Sequence, residues 1–165
     1  MRLQTSLSLE MANAIVTKAL SLGREAGLLP LTVVALDAGG RLVAMQSEDG
    51  SGIMRYDVAF GKAWGALGMG ISSRLIRDRL SERPVFQTSL AAASDGRLIP
   101  VPGGVLVETK DGITIGAVGI SGDTSDKDEY CAIEAIKQAG AFPEPAEPNP
   151  EWKTSSLSDH YPASS

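Results

Sequence analysis

Leu31-Thr32-Val33-Val34-Ala35-Leu36-Asp37-Ala38-Gly39-Gly40-Arg41-Leu42-Val43-Ala44-Met45-Gln46-Ser47 is the stretch that decides the fold. Residues 31–36 form an apolar run with two valines, the pattern of a strand buried on both faces. Asp37-Ala38-Gly39-Gly40 is a turn, and residues 41–47 pair back as the second strand of a hairpin. The signature recurs downstream. Pro102-Gly103-Gly104 enters a strand over 105–109, Lys110-Asp111-Gly112 turns the chain, and residues 113–120 answer it. Residues 98–101 read as a short edge strand, limited by Pro100 and Pro102. Hairpins therefore join most strands, and the sheet should be largely antiparallel with helices packed on it, an α/β (α+β) class.

Working outward, Ser8 caps a helix with Glu10 in its first turn. Ala12, Ile15, Val16 and Ala19 recur at helical spacing to about Ala26, where Gly27 and Pro30 stop it. A second helix spans about 54–69 and carries Gly61, Gly65 and Gly68. Each costs about 1 kcal/mol relative to alanine, so another backbone should pack there closely. Ser72 or Ser73 caps a shorter helix ended by Pro84, and residues 85–93 form another. Ser125 caps the last helix with Asp128 at the capping-box position. Its stripe is Ala132, Ala135, Ile136 and Ala139, and Gly140 ends it. Five of the nine prolines follow Ala141. Residues 142–165 thus read as an acidic, proline-rich tail on a domain spanning 1–141, either disordered or laid on a neighbouring subunit with Trp152 and Tyr161 as anchors.

The 165 residues suit one domain with a real core. A 43% hydrophobic and 21% charged composition excludes a disordered chain, and the single Cys131 excludes a disulfide scaffold. The 18 glycines and only 5% aromatics point to small-residue packing. A net charge of −5 and a pI near 4.9 argue against nucleic acid as a partner. No run of about 18 apolar residues could cross a membrane, and the first ten residues lack a secretory apolar stretch. A cytoplasmic protein is the expectation, consistent with one unpaired cysteine.

Chemistry could sit at four places. In Gly119-Ile120-Ser121-Gly122-Asp123-Thr124-Ser125, free N–H groups at a helix start could hold an anion. Helix capping alone also explains much of that loop, and Asp123, Asp126 and Asp128 would repel an anion or attract a cation. Gly103 and Gly104 allow a ligand or another chain to approach, or mark a bulge. Lys62, among small neighbours, is a proton carrier if it lies in a dry pocket and a solvated lysine if it does not. Cys131 stands near a helix start, where a thiolate gains stability, but its neighbours Ala132 and Ala135 suit an inert buried thiol. The only histidine, His160, lies in the tail, which leaves the core no His cluster for zinc and no Ser–His pair. Gly68-Met69-Gly70 lacks the third glycine of a dinucleotide fingerprint.

Residues 31–44 resemble the opening hairpin of the GlcG/HbpS-like, haem-degrading-domain family. Asp49-Gly50, Lys62-Ala63, Pro102-Gly103-Gly104 and Gly116-Ala117-Val118-Gly119-Ile120-Ser121-Gly122 match its later landmarks in order. Residues 123–132 look like the ending of one large subgroup, so the resemblance covers about residues 5–141. It implies a profilin-like fold, a five-stranded antiparallel sheet flanked by helices, in a homo-oligomer that is often an octamer. It further implies haem or corrinoid binding, redox sensing or a place in catabolic gene clusters. The chain departs from the pattern in three places. It has no histidine before His160, where haem-binding members use histidine on iron. Leu106 or its neighbour replaces a usual proline. Trp64 follows the lysine-alanine step, where it would fill space or stack on a ligand.

The expectation drawn from these residues is a small-molecule site for a small anionic, carboxylated compound. Its residues are Lys62, Trp64, Gly103, Gly104, Ser121, Gly122 and Asp123. If the site is catalytic, the chemistry is cofactor-free hydration, tautomerisation or deamination with Lys62 moving the proton. No cofactor is expected, and haem, though implied by the resemblance, is disfavoured by the missing core histidine. The alternatives are a haem- or metal-binding redox sensor and a structural or partner-binding oligomer.

Overall fold

The computed structural model describes residues 3–157. The chain forms α1 (Leu9–Glu25), β1 (Thr32–Asp37), β2 (Leu42–Ser47), α2 (Arg55–Met69), α3 (Ser73–Leu80), α4 (Pro84–Ala93), β3 (Gly104–Glu108), β4 (Thr114–Ser121), α5 (Ser125–Gln138) and β5 (Phe142–Glu144), then a 3-10 turn at Trp152–Thr154. The strands make one sheet in the order β2-β1-β4-β3-β5, with every neighbouring pair antiparallel. This is the antiparallel α+β sheet the hairpins predicted, with the five strands the family resemblance implied.

Alternation along the strands sorts the core into two layers. Val33, Ala35, Val105, Val107, Val118 and Ile120 meet α1 and α5 on one face. Val34, Leu36, Leu106 and Ala117 meet Ala59, Ala63 and Ala66 of α2 on the other. Residues 32–36 are buried, as the apolar run required of a strand covered on both faces. Ser8 caps α1 by accepting from the Met11 N–H at 3.1 Å.

Several local expectations are corrected. Residues 98–101 form no strand. Pro100 and Pro102 lack N–H donors, and the segment serves α2 instead. Leu98 packs at Gly65, and the Ile99 N–H donates to the Gly61 carbonyl at 3.3 Å. The edge position beside β3 is taken by β5, inside the stretch read as tail. An outer strand needs fewer ladder donors, so Pro143 is tolerated opposite Val107. Pro84 opens α4 rather than closing α3, using the first-turn position where a missing N–H costs nothing. The cap of α5 is Thr124, not Ser125: its hydroxyl accepts from the Lys127 N–H, which leaves Asp128 free to turn inward. Trp152 has a partner within its own chain. It stacks on Tyr130, ring centroids 3.7 Å apart. Tyr161 and His160 lie outside the described residues.

Candidate functional site

The site region begins with two glycines that have no room for a side chain. A Cβ on Gly104 would fall onto the Lys62 carbonyl, and one on Gly119 onto the Ala59 carbonyl. The backbone of α2 thus rests directly on β3 and β4, the close approach its own glycines foreshadowed, although α2 meets the sheet through Ala59 and Ala63 while Gly61 and Gly65 face residues 97–99.

This approach drives Lys62 into the end of β4. Its Nζ donates to the Ile120 carbonyl at 2.8 Å and to Asp128 Oδ2 at 3.0 Å. The two side chains are 2% and 1% exposed. Gly103, at φ +115°, is held open for the ammonium: a Cβ there would lie 2.9 Å from Nζ. Asp128 Oδ1 accepts from the Asp123 N–H at 3.1 Å. Burial holds the Asp128 carboxyl above its usual range, against the pull of Lys62. Lys62 is therefore a buried, paired lysine, and its partner had been legible only as a capping residue.

Asp123 is the next link. Its carboxylate accepts from the N–H groups of Leu29 and Thr124, at 3.0 and 2.7 Å, and pairs with Lys127 at 3.2 Å. Burial works against ionisation, but these donors outweigh it and keep Asp123 below the usual carboxylate range. The Asp123, Thr124 and Lys127 N–H groups at the start of α5 are thus occupied by the chain's own oxygens. Gly122 lets the Pro30 carbonyl cross closely. Trp64 stands apart on α2. Its ring lies under the Arg97 guanidinium at 4.3 Å and beside Gly40.

Ser121 belongs to a polar row on the α2 face. Strand pairing sets it beside Thr32, and Thr32 beside Ser47. Thr32 Oγ1 lies 2.7 Å from Ser47 Oγ and 2.8 Å from Ser51 Oγ. Arg55, the first residue of α2, donates to Ser121 Oγ at 3.2 Å. It is half-buried and has no carboxylate partner among the described residues. Sequence reading missed Arg55. Only the strand register brings residues 32, 47, 55 and 121 together.

Two further groups complete the chemistry. Cys131 is fully buried, and burial, followed by Asp128 and Asp123, pushes its thiol up to about 12. The inert reading of this cysteine stands, and the helix-start stabilisation of a thiolate is overridden by desolvation. Glu129 is 0% exposed. Its two oxygens accept no hydrogen bond among the described residues, and Arg74 Nε approaches Oε1 at 3.4 Å. Burial raises its pKa to about 7; Arg74 and Arg77 oppose the shift, and Asp126 and Glu144 add to it.

Glu129 predicts a pH dependence. The folded protein holds this proton up to about pH 7, while an unfolded chain releases it near 4.5. The native state binds more protons in that window, so stability falls as pH rises through it, by on the order of 2–3 kcal/mol. Urea unfolding across the window should show this slope, and E129Q should flatten it. A slope unchanged in E129Q assigns the titration elsewhere.

Among the described residues no group of three or more His, Cys, Asp or Glu could hold a metal ion, and no helix is long and apolar enough to cross a membrane. Nor do these residues fit haem in the histidine-ligated form: they contain no imidazole, and Cys131 is sealed in the core.

The chain is thus an antiparallel α+β domain with a buried lysine–carboxylate pair between α2 and α5. Residues 7–137 match the family described as "Haem degrading protein HbpS-like", and the chain belongs to that family. A Citrobacter freundii relative, an uncharacterized 15.0 kDa protein in the dhaT-dhaS intergenic region, is 28% identical over 127 residues, covering 77% of this chain and 84% of its own. Among solved structures, a PduOC:heme complex superposes with a TM-score of 0.73 at 24% identity, covering 82% of this chain and 96% of the other. A doubly substituted form of Streptomyces reticuli HbpS gives 0.70 at 24%, covering 84% and 90%. These likenesses establish the fold.

Proposed function

We propose that this protein is a small-molecule-binding member of the HbpS-like family that takes a compact carboxylate at the Arg55–Ser121 end of its sheet. Arg55 carries this reading. A guanidinium has five N–H donors in a fork that suits a carboxylate. One of them goes to Ser121, and no acid of the described chain neutralises the charge. Hydroxyls of Thr32, Ser47 and Ser51 lie along the same row.

Lys62 then acts through position. Its ammonium is held by Ile120 and Asp128, and the pair pins α2 against α5 beside Ser121. That saturation favours binding over proton-transfer turnover by Lys62. The haem alternative draws on the family description and on the PduOC complex, while the absence of imidazole among residues 3–157 weighs against it.

Assembly belongs to the same reading. No residue of α4 is buried, and Val85 and Phe86 are 81% and 43% exposed. Ile53 and Met54 add apolar surface just before Arg55. Such surface fits contact with further copies, as the octamer implied by the family resemblance would supply.

Calorimetric titration with short mono- and dicarboxylates tests the proposal. R55M should weaken the best binder by about 10- to 100-fold, the loss of one charge-assisted hydrogen-bonded pair, with unfolding unchanged. F86D should lower the mass in sedimentation. Equal affinity in R55M would refute the site.

A further inference from the structure

A cleft of about 580 Å³ lies on the far side of α5, between the C-terminal end of α1 and the 3-10 turn. Leu22 and Leu28 give it an apolar floor. Tyr130 and Trp152 give it a flat wall, stacked with an interplanar angle of 10°. The wall is tied in place: Ser155 Oγ donates to the Trp152 carbonyl at 2.8 Å and lies 2.5 Å from the hydroxyl of Thr124, the α5 cap.

Charge is distributed around the cleft by sign. Lys127 and Lys153 both line the cleft. Lys153 Nζ sits 5.5 Å from the Trp152 ring centroid and has no carboxylate partner among the described residues. Lys127 pairs with Asp123 through one oxygen, which leaves it further N–H donors. Glu25, on α1, supplies a carboxylate whose Oε1 accepts from Ser21 Oγ at 3.0 Å.

We propose that this cleft is a second ligand site, and that it takes a small planar aromatic acid carrying an amino group at its other end. The ring lies along the Trp152 wall over the two leucines, its carboxylate meets Lys153 and Lys127, and its amino group donates to Glu25. The volume is in the range of small-molecule sites, and an apolar body with a few placed polar groups is their usual form. Ring stacking supplies affinity, and the cationic and anionic ends of the cleft supply orientation, the first pairing the carboxylate and the second accepting from the neutral amino group. The proposal stands apart from Arg55, which lies on the opposite face of the sheet.

The full-length protein and 4-aminobenzoate make the test. The chain has two tryptophans, so two indole N–H resonances report by NMR, and W64F identifies which is which. The Trp152 signal should shift saturably with a Kd below about 1 mM, while the Trp64 signal stays. K153M should weaken binding about tenfold, and E25Q should reduce 4-aminobenzoate to the affinity of benzoate. Both changes are on the surface, so folding is not at issue. R55M should leave the Trp152 shift intact, which separates this site from the carboxylate site. No Trp152 shift at about 10 mM ligand overturns the proposal. So does a shift indifferent to both K153M and E25Q.

Discussion

Replacing Asp128 by Asn should destabilise the protein by about 3–5 kcal/mol, because it strands a buried ammonium with no counter-charge. Lys62 is 2% exposed, and its remaining contact is the Ile120 carbonyl. The mirror change, K62M, should cost less. The carboxyl left behind already sits above its usual pKa and can take up a proton, which removes the stranded charge. Urea unfolding of both variants measures the asymmetry. Equal losses, or a loss below about 1 kcal/mol for D128N, would mean that the pair is not sealed from water.

Gly119→Ala should be the most damaging single-methyl change in the chain. The new Cβ would fall on the Ala59 carbonyl and press the Ala63 methyl at 3.0 Å. Neither is the end of a flexible side chain, so α2 as a whole must lift. Overpacking commonly costs 1–3 kcal/mol, and a clash with backbone should reach about 3 kcal/mol or more. Lifting α2 also withdraws Lys62 from Asp128, so the loss should not add to that of D128N in the double variant. Additive losses would show that α2 accommodates the methyl without moving the pair. Gly112, with open space around its Cβ position and φ +75°, is the control that separates helix displacement from turn strain.

How much of this was legible depended on the range of the interactions. The hairpin at 31–47 could be read because alternation, a glycine turn and a β-branched run are local. The Ser8 cap and the ends of α1, α2 and α5 could be read for the same reason. Lys62 stood out through its small neighbours, but nothing local announced that Asp128, 66 residues away, would be its partner. The cap of α5 was misplaced by one residue because both Thr124 and Ser125 can accept the bond, and geometry chose Thr124. Arg55 carried no local signal. Its meaning comes from the register that aligns Ser121, Thr32 and Ser47. The strand at 142–144 was hidden by Pro143 and the prolines that follow it, which argue against a central strand and are silent about an outer one.

That last strand has a consequence for where the domain stops. Phe142–Glu144 is what separates the backbone of β3 from solvent, and the Ser72 N–H holds it down through Glu144 Oε2 at 2.8 Å. A chain cut at Ala141 would present the valine-rich β3 as an open template, ready to pair with the same strand of another molecule. The short proline-bearing segment therefore works as a selvedge: it finishes the woven edge of the sheet so that β3 does not fray into the same strand of another molecule.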